Sequence, residues 1–340
     1  IIAVGIFYIN SENWVPTNNE GVKSFMPNGF TGVMSAVAGV FFAYIGFDAL
    51  SVLSEETKNP EKTLPKGMII SLVLSTAIYI VLTLVLTGIV DYRKFEGIGD
   101  PLSFIFAPQN ANIPWMEFVV SVTAIVAITT VLLVFQMGQP RIWMSMSRDG
   151  LMPKKFAEIH PKYKTPSFAT IITGVAVGLP ILFTDKTFIL DFTSIGTIFA
   201  FVLVNGGILL MPQKEKLKGR FHLPYINAKY IFPVFFIGGL VGFYFWQPEF
   251  FHNLWNITDE HEGEFRLSII IFLIINLALV VLSYLKNLSL IPLLGLTSCL
   301  YLLTGMTHNN WFWFGLWFII GLGIYFFYGK KNSKLNPENM

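Results

Sequence analysis

The stretch "FFAYIGFDALSVLSEE", residues 41–56, places Gly46 and then Asp48 in an apolar span that begins at residue 29 and carries no other charge up to residue 53. A carboxylate is expensive at membrane depth, so an acid there marks a functional position by default. Two compatible readings follow. In one, a helix breaks over residues 44–46, and Asp48 caps the second half by accepting bonds from free backbone N–H groups. In the other, the break is itself a binding site. Interrupted membrane helices expose backbone N–H and C=O groups that hold charged substrate groups and ions. Such backbone is tolerated only where it lines a cavity or lies within protein.

Two further groups of residues can carry chemistry. Thr129 and Thr130 sit in the middle of the apolar run 118–140. Their hydroxyls either bond back to their own helix or face the break as an ion or proton site. Glu55 and Glu56 end the first stretch, while Arg141 and Arg148 follow the run that carries the threonines. If the two runs are neighbours, these acids and bases can pair as a gate on one side of the membrane. No metal-ligand spacing is present, and the single cysteine, Cys299, lies in an apolar span and cannot form an intrachain disulfide. No cofactor is expected, and the net charge of +2 gives no sign of nucleic-acid binding.

The elements that must position these residues are membrane helices. The chain has 340 residues, 54% hydrophobic and 13% charged, whereas soluble proteins carry about 25% charged residues. The charges are segregated. Uncharged runs cover 67–90, 118–140, 165–184, 192–213, 230–248, 267–285 and 287–329, and the last is long enough for two spans with a break at "MTHNN", residues 306–310. With about 20 apolar residues needed per crossing, and 29–53 added, the pattern predicts nine spans. Pro60 and Pro65 are expected to exclude helix from the charged loop 54–67. Residues 138–166 are expected to run as an amphipathic interfacial segment, a turn at Asp149 and Gly150, and an extended stretch.

Orientation follows from the bases. The loops at 54–66, 141–164, 214–229, Lys286 and the tail after residue 329 hold 18 of the 23 Lys and Arg residues. That bias predicts that these loops and the C-terminus are cytoplasmic. Aromatic clusters at Trp14, at 243–251 and at 309–318 read as interfacial anchors.

The sequence "FFAYIGFDALSVLSEETKNPEKTLPKGMIISL", followed by "GQPRIWMSMSRDGLMPKKFAEIHPKYKTP", resembles the amino acid–polyamine–organocation superfamily. Within it the likeness is to the cationic amino acid transporter family of fourteen-helix permeases. "IPLLGLTSCLYLLTGMTHNNWFWFGLWFIIGLGIYFFYG" is similar to that family's last helices. The resemblance implies an all-α membrane protein with an inverted-repeat (5+5) fold, and identifies this chain as a C-terminal part of it. Residues 1–10 would end the fifth helix, 29–211 would form the second five-helix repeat, 228–329 the four peripheral helices, and 330–340 a cytoplasmic tail. The first helix, with its glycine-rich carboxylate-binding turn, and the lysine of the fifth, which stands in for a sodium ion in proton-coupled permeases of this kind, would lie outside.

By the same resemblance, Phe42 matches an aromatic gate and Ile45 an apolar pocket residue. Ala43, Tyr44 and Gly46 match the unwound turn whose backbone faces the substrate amine, and Asp48 matches the acid that follows. Thr129 and Thr130 match ion-site positions. The implied function is secondary, proton-coupled amino acid transport across the plasma membrane by alternating access, with cationic amino acids as the class the family name suggests and the lipid bilayer as surroundings. The alternatives are an uncoupled exchanger of amino acids or polyamines, and a permease-derived membrane protein that does not transport.

Overall fold

The computed structural model describes residues 1–17, 21, 23–47, 50, 57–211, 224–246, 248–253 and 260–334. Asp48, Glu55 and Glu56 lie outside them. The longer helices are α1 (Gly29–Phe41), α2 (Pro60–Ile89), α3 (Pro114–Arg148), α4 (Ser167–Ile181), α5 (Lys186–Leu210), α6 (Ala228–Trp246), α7 (Glu260–Lys286), α8 (Leu290–Thr304) and α9 (His308–Ile324). Each meets one of the nine expected spans. Among the described residues, six segments are long and apolar enough to cross a bilayer: α2, α3, Phe188–Leu210 of α5, α6, Arg266–Lys286 of α7, and α9 with its continuation to Asn332. The other three have 13 to 15 residues, about 20–23 Å at the usual helical rise against a hydrocarbon core of about 30 Å. The protein is an all-α, multi-pass membrane protein.

Two expectations about boundaries are corrected. Pro60 does not precede a loop but opens α2, where its missing N–H costs nothing, and Pro65 lies inside that helix. Likewise α3 runs through Pro140 to Arg148, with no interfacial segment set off from the span. An interior proline removes one N–H bond and crowds the carbonyl four residues before it, and membrane helices tolerate this where neighbouring groups and local adjustment satisfy the freed carbonyl. The expected turn at Asp149 and Gly150 then ends α3.

The chain forms two compact units. The first comprises residues 1–34, 46–179 and 328–340. Its core gathers Val90, Ile105, Phe106, Ile113, Met116 and Val120, around the segment that joins α2 to α3. The N-terminal residues clasp the end of α2: Asn13 Nδ2 donates to the Gly88 carbonyl at 2.8 Å and Trp14 Nε1 to that of Leu84 at 2.9 Å. At the other end of α3, Trp143, Phe156 and Phe168 meet edge to face, which holds the short 3-10 turn Lys154–Ala157 against the helix.

The second unit comprises residues 35–45 and 180–327. Ile195, Ile198, Cys299, Leu303 and Phe314 build its main core from α5, α8 and α9. Gly295 of α8 permits close approach to α5, since a Cβ there would come within 2.7 Å of Asn205 Oδ1. Small residues at helix crossings serve this purpose where lipid supplies no hydrophobic drive between helices. Fully buried Asn276 accepts from Thr297 Oγ1 at 2.9 Å and donates to the Phe272 carbonyl at 2.9 Å, tying α7 to α8. By contrast, outward apolar side chains such as Phe235, Phe245 and Ile125 are exposed, as a lipid-facing surface requires.

Candidate functional site

Helix α1 stops short of its apolar run. Regular α-helix ends at Phe41, a single 3-10 turn covers Phe42–Tyr44, and Ile45 is extended with φ −63° and ψ 128°. The Ile45 N–H reaches only the Phe42 carbonyl, at 3.1 Å. Gly46 follows with φ +123°, a conformation open to glycine and costly for any other residue. Among the described residues, space is not what demands glycine here, because the nearest heavy atom to a Cβ would be Phe135 Cζ at 3.7 Å. The sequence therefore writes the break through backbone conformation.

The last helical turn before the break is anchored. Phe41 packs edge-on against Phe201 of α5, with centroids 6.3 Å apart, and joins the core around Ile195 and Ile198. Phe42 and Ala43 are exposed, whereas Tyr44, Ile45 and Gly46 are half-buried. The boundary between the two compact units falls between Ile45 and Gly46. Asp48, expected to cap the far half, lies outside the described residues.

Thr129 and Thr130 are exposed on α3, and their hydroxyls donate to the carbonyls of Ile125 and Val126, each at 2.8 Å. The hydroxyl protons are committed to the helix, and each oxygen can still accept a bond or ligate.

The structure brings Arg141 and Arg148 onto one cavity of about 650 Å³ at the end of α3. It also draws in Asp149, expected from sequence only as part of a turn, and Gln136, Lys164 and Thr170, which were not singled out from sequence. Gln136 Nε2 donates to the Thr170 carbonyl at 3.4 Å and so spans from α3 to α4. The acids expected to complete the gate, Glu55 and Glu56, lie outside the described residues. Sequence reasoning also missed a polar pair in the second unit, where buried Asn310 donates to the Asp191 carboxylate at 3.0 Å. The signal was present: Asp191 stands directly before an uncharged run, inside the apolar helix rather than in its loop.

A family profile described as amino acid permease matches residues 1–258, and one described as the C-terminus of such permeases matches residues 288–333. A branched-chain amino acid permease of Bacillus subtilis (strain 168) is 33% identical over 336 residues, which are 98% of this chain and 57% of the relative. A methylthioribose transporter of the same organism is 32% identical over 338 residues, again 98% and 57%. The human cationic amino acid transporter 4 is 27% identical over 398 aligned positions, covering 100% of this chain and 61% of the relative. The chain thus spans little more than half the length of these relatives. Matched by the permease profile over most of its length, and by relatives that cover nearly all of it, the chain belongs to the amino acid permease family.

Proposed function

We propose that the protein to which this chain belongs is a secondary amino acid transporter of the plasma membrane, working by alternating access with its C-terminus in the cytoplasm. The observation that carries this reading is the interruption of α1 at Phe42–Tyr44 and Gly46. Backbone groups at such a break hold a charged ligand without a dedicated ionised side chain. The peptide groups of Ala43, Tyr44 and Gly46 recognise the substrate amine, Phe42 covers it, and Ile45 lines the pocket. Asp48 supports the far side of the break.

The other roles follow the same frame. The Thr129 and Thr130 oxygens, with their protons turned inward, offer lone pairs to a coupling ion. Arg141 and Arg148, on the cavity at the end of α3, pair with Glu55 and Glu56 as the cytoplasmic gate. The relatives' names point to branched-chain and cationic amino acids and to methylthioribose, so the substrate class is drawn at the level of the amino acid.

The test is an uptake panel in proteoliposomes with the protein as its gene encodes it. Labelled leucine, valine, lysine, arginine and methylthioribose are offered with and without a pH gradient. Saturable uptake of an amino acid supports the reading, and stimulation by the gradient assigns proton coupling. Saturable uptake that ignores the gradient assigns the uncoupled exchanger. Absence of uptake for every amino acid contradicts the proposal.

A further inference from the structure

The turn that closes α3 is occupied by the last described residues of the chain. Asp149 ends the helix, and Gly150 follows with φ +83°. The Leu151 N–H bonds to the Met146 carbonyl at 2.9 Å and that of Gly150 to the Ser147 carbonyl at 3.1 Å. These are the two bonds of a Schellman cap, and they satisfy the helix end from within. Ser147, buried beneath the turn, donates its hydroxyl to the Pro153 carbonyl at 2.7 Å. The turn therefore needs no outside partner to be formed.

It has one nevertheless. After α9 the helix widens into a π turn, Tyr325–Gly329, and the chain continues as the short helix Lys330–Asn332. Ser333 leaves that helix extended, and the Lys334 N–H donates to the Asp149 carbonyl at 3.0 Å. The Asn332 carbonyl lies so close to Gly150 that a Cβ there would collide with it, and Ser333 Cα stands 3.3 Å from the same point. Gly150 is thus required twice, once for its positive φ and once to admit the tail. The tail residues belong to the same compact unit as α3. The tail meets the turn through backbone, with the Lys334 N–H on the Asp149 carbonyl and the Asn332 carbonyl on Gly150, whereas Trp143, Phe156 and Phe168 beside it pack through their rings.

We propose that Asn332, Ser333 and Lys334 form a latch on the turn at Asp149 and Gly150, holding the end of α3 closed and slowing the opening of the cavity that Arg141 and Arg148 line. The docking stands on geometry alone, whereas its effect on uptake rests on the transport reading above.

The experiment uses the protein as its gene encodes it, with Cys299→Ala removing the single native thiol of this chain. The pair Asp149→Cys and Lys334→Cys is oxidised mildly in membranes, and the linked peptides are sought by mass spectrometry. Separately, Ser147→Cys reports opening of the turn through its rate of maleimide labelling. Ending the chain after Gly329 is expected to speed that labelling about fivefold or more, the lower range of typical coupling between sites, and to raise initial uptake in the same proportion. Lys334→Pro keeps the full length, removes the N–H donor, and is expected to act in the same direction by a smaller factor, while Lys334→Ala, which keeps that donor, is expected to act less. Linked peptides together with faster labelling support the latch. Failure of the pair to link, or equal labelling with and without the tail, overturns it. Labelling that responds while uptake is absent in every variant contradicts the transport reading and leaves the latch standing.

Discussion

The C-terminal ends of α1 and α3 are each followed by a glycine with positive φ, and they differ in what the glycine is for. At the end of α3, Gly150 completes a capped turn, and the Asn332 carbonyl fills the space its side chain would take. At the end of α1, Gly46 follows a 3-10 turn whose next residue, Ile45, bonds back to Phe42, and among the described residues none crowds a Cβ. One end is built to stay closed. The other interrupts the helix inside an apolar run. A helix terminus with its bonds satisfied locally suits a latch, and one that bends away from the helical ladder suits a ligand.

The comparison can be broken at several points. Gly150→Ala has the largest expected effect on stability, about 3 kcal/mol from left-handed strain and overpacking together, read as a drop in melting temperature in detergent. Gly46→Ala incurs conformational strain alone, about 1–2 kcal/mol, so its melting temperature falls less. Its uptake, in contrast, falls about tenfold or more, as expected when about 1.4 kcal/mol of binding-site preorganisation is lost. Equal melting shifts for the two alanines would erase the distinction drawn between the two ends. The smallest structural effect belongs to Thr129→Val with Thr130→Val, a change of under about 0.5 kcal/mol for exposed positions. That double variant is expected to keep its fold and lose the ion dependence of uptake. Unchanged ion dependence would assign both hydroxyls to the helix alone.

The helices were legible in the sequence because lipid imposes a simple rule: apolar length and segregated charge. The break at 44–46 was legible because Gly46 stands inside an uncharged run, next to an acid that such a run does not otherwise contain. The turn at Asp149 and Gly150 was legible as a dipeptide. Helix ends at prolines were not. Pro60 and Pro65 read as helix breakers, yet Pro60 occupies the one helical position where proline fits and α2 tolerates Pro65 in its interior. Contacts between distant segments were illegible for a different reason. Nothing local to Asn332 or Lys334 announces Gly150 as a partner, and nothing in Asn310 announces Asp191. Such pairs are set by how helices pack, to which spacing along the chain gives no access.

The central claim, that the break in α1 holds the substrate, is tested most directly by protection at Ala43, an exposed residue in the unwound turn. In the Cys299→Ala background, Ala43→Cys is labelled by a small thiol reagent in proteoliposomes while a transported amino acid is titrated in. The account predicts that labelling slows as substrate is added, with half-protection at the concentration that half-saturates uptake. Labelling that stays constant under saturating substrate, in a variant that still transports, would contradict it.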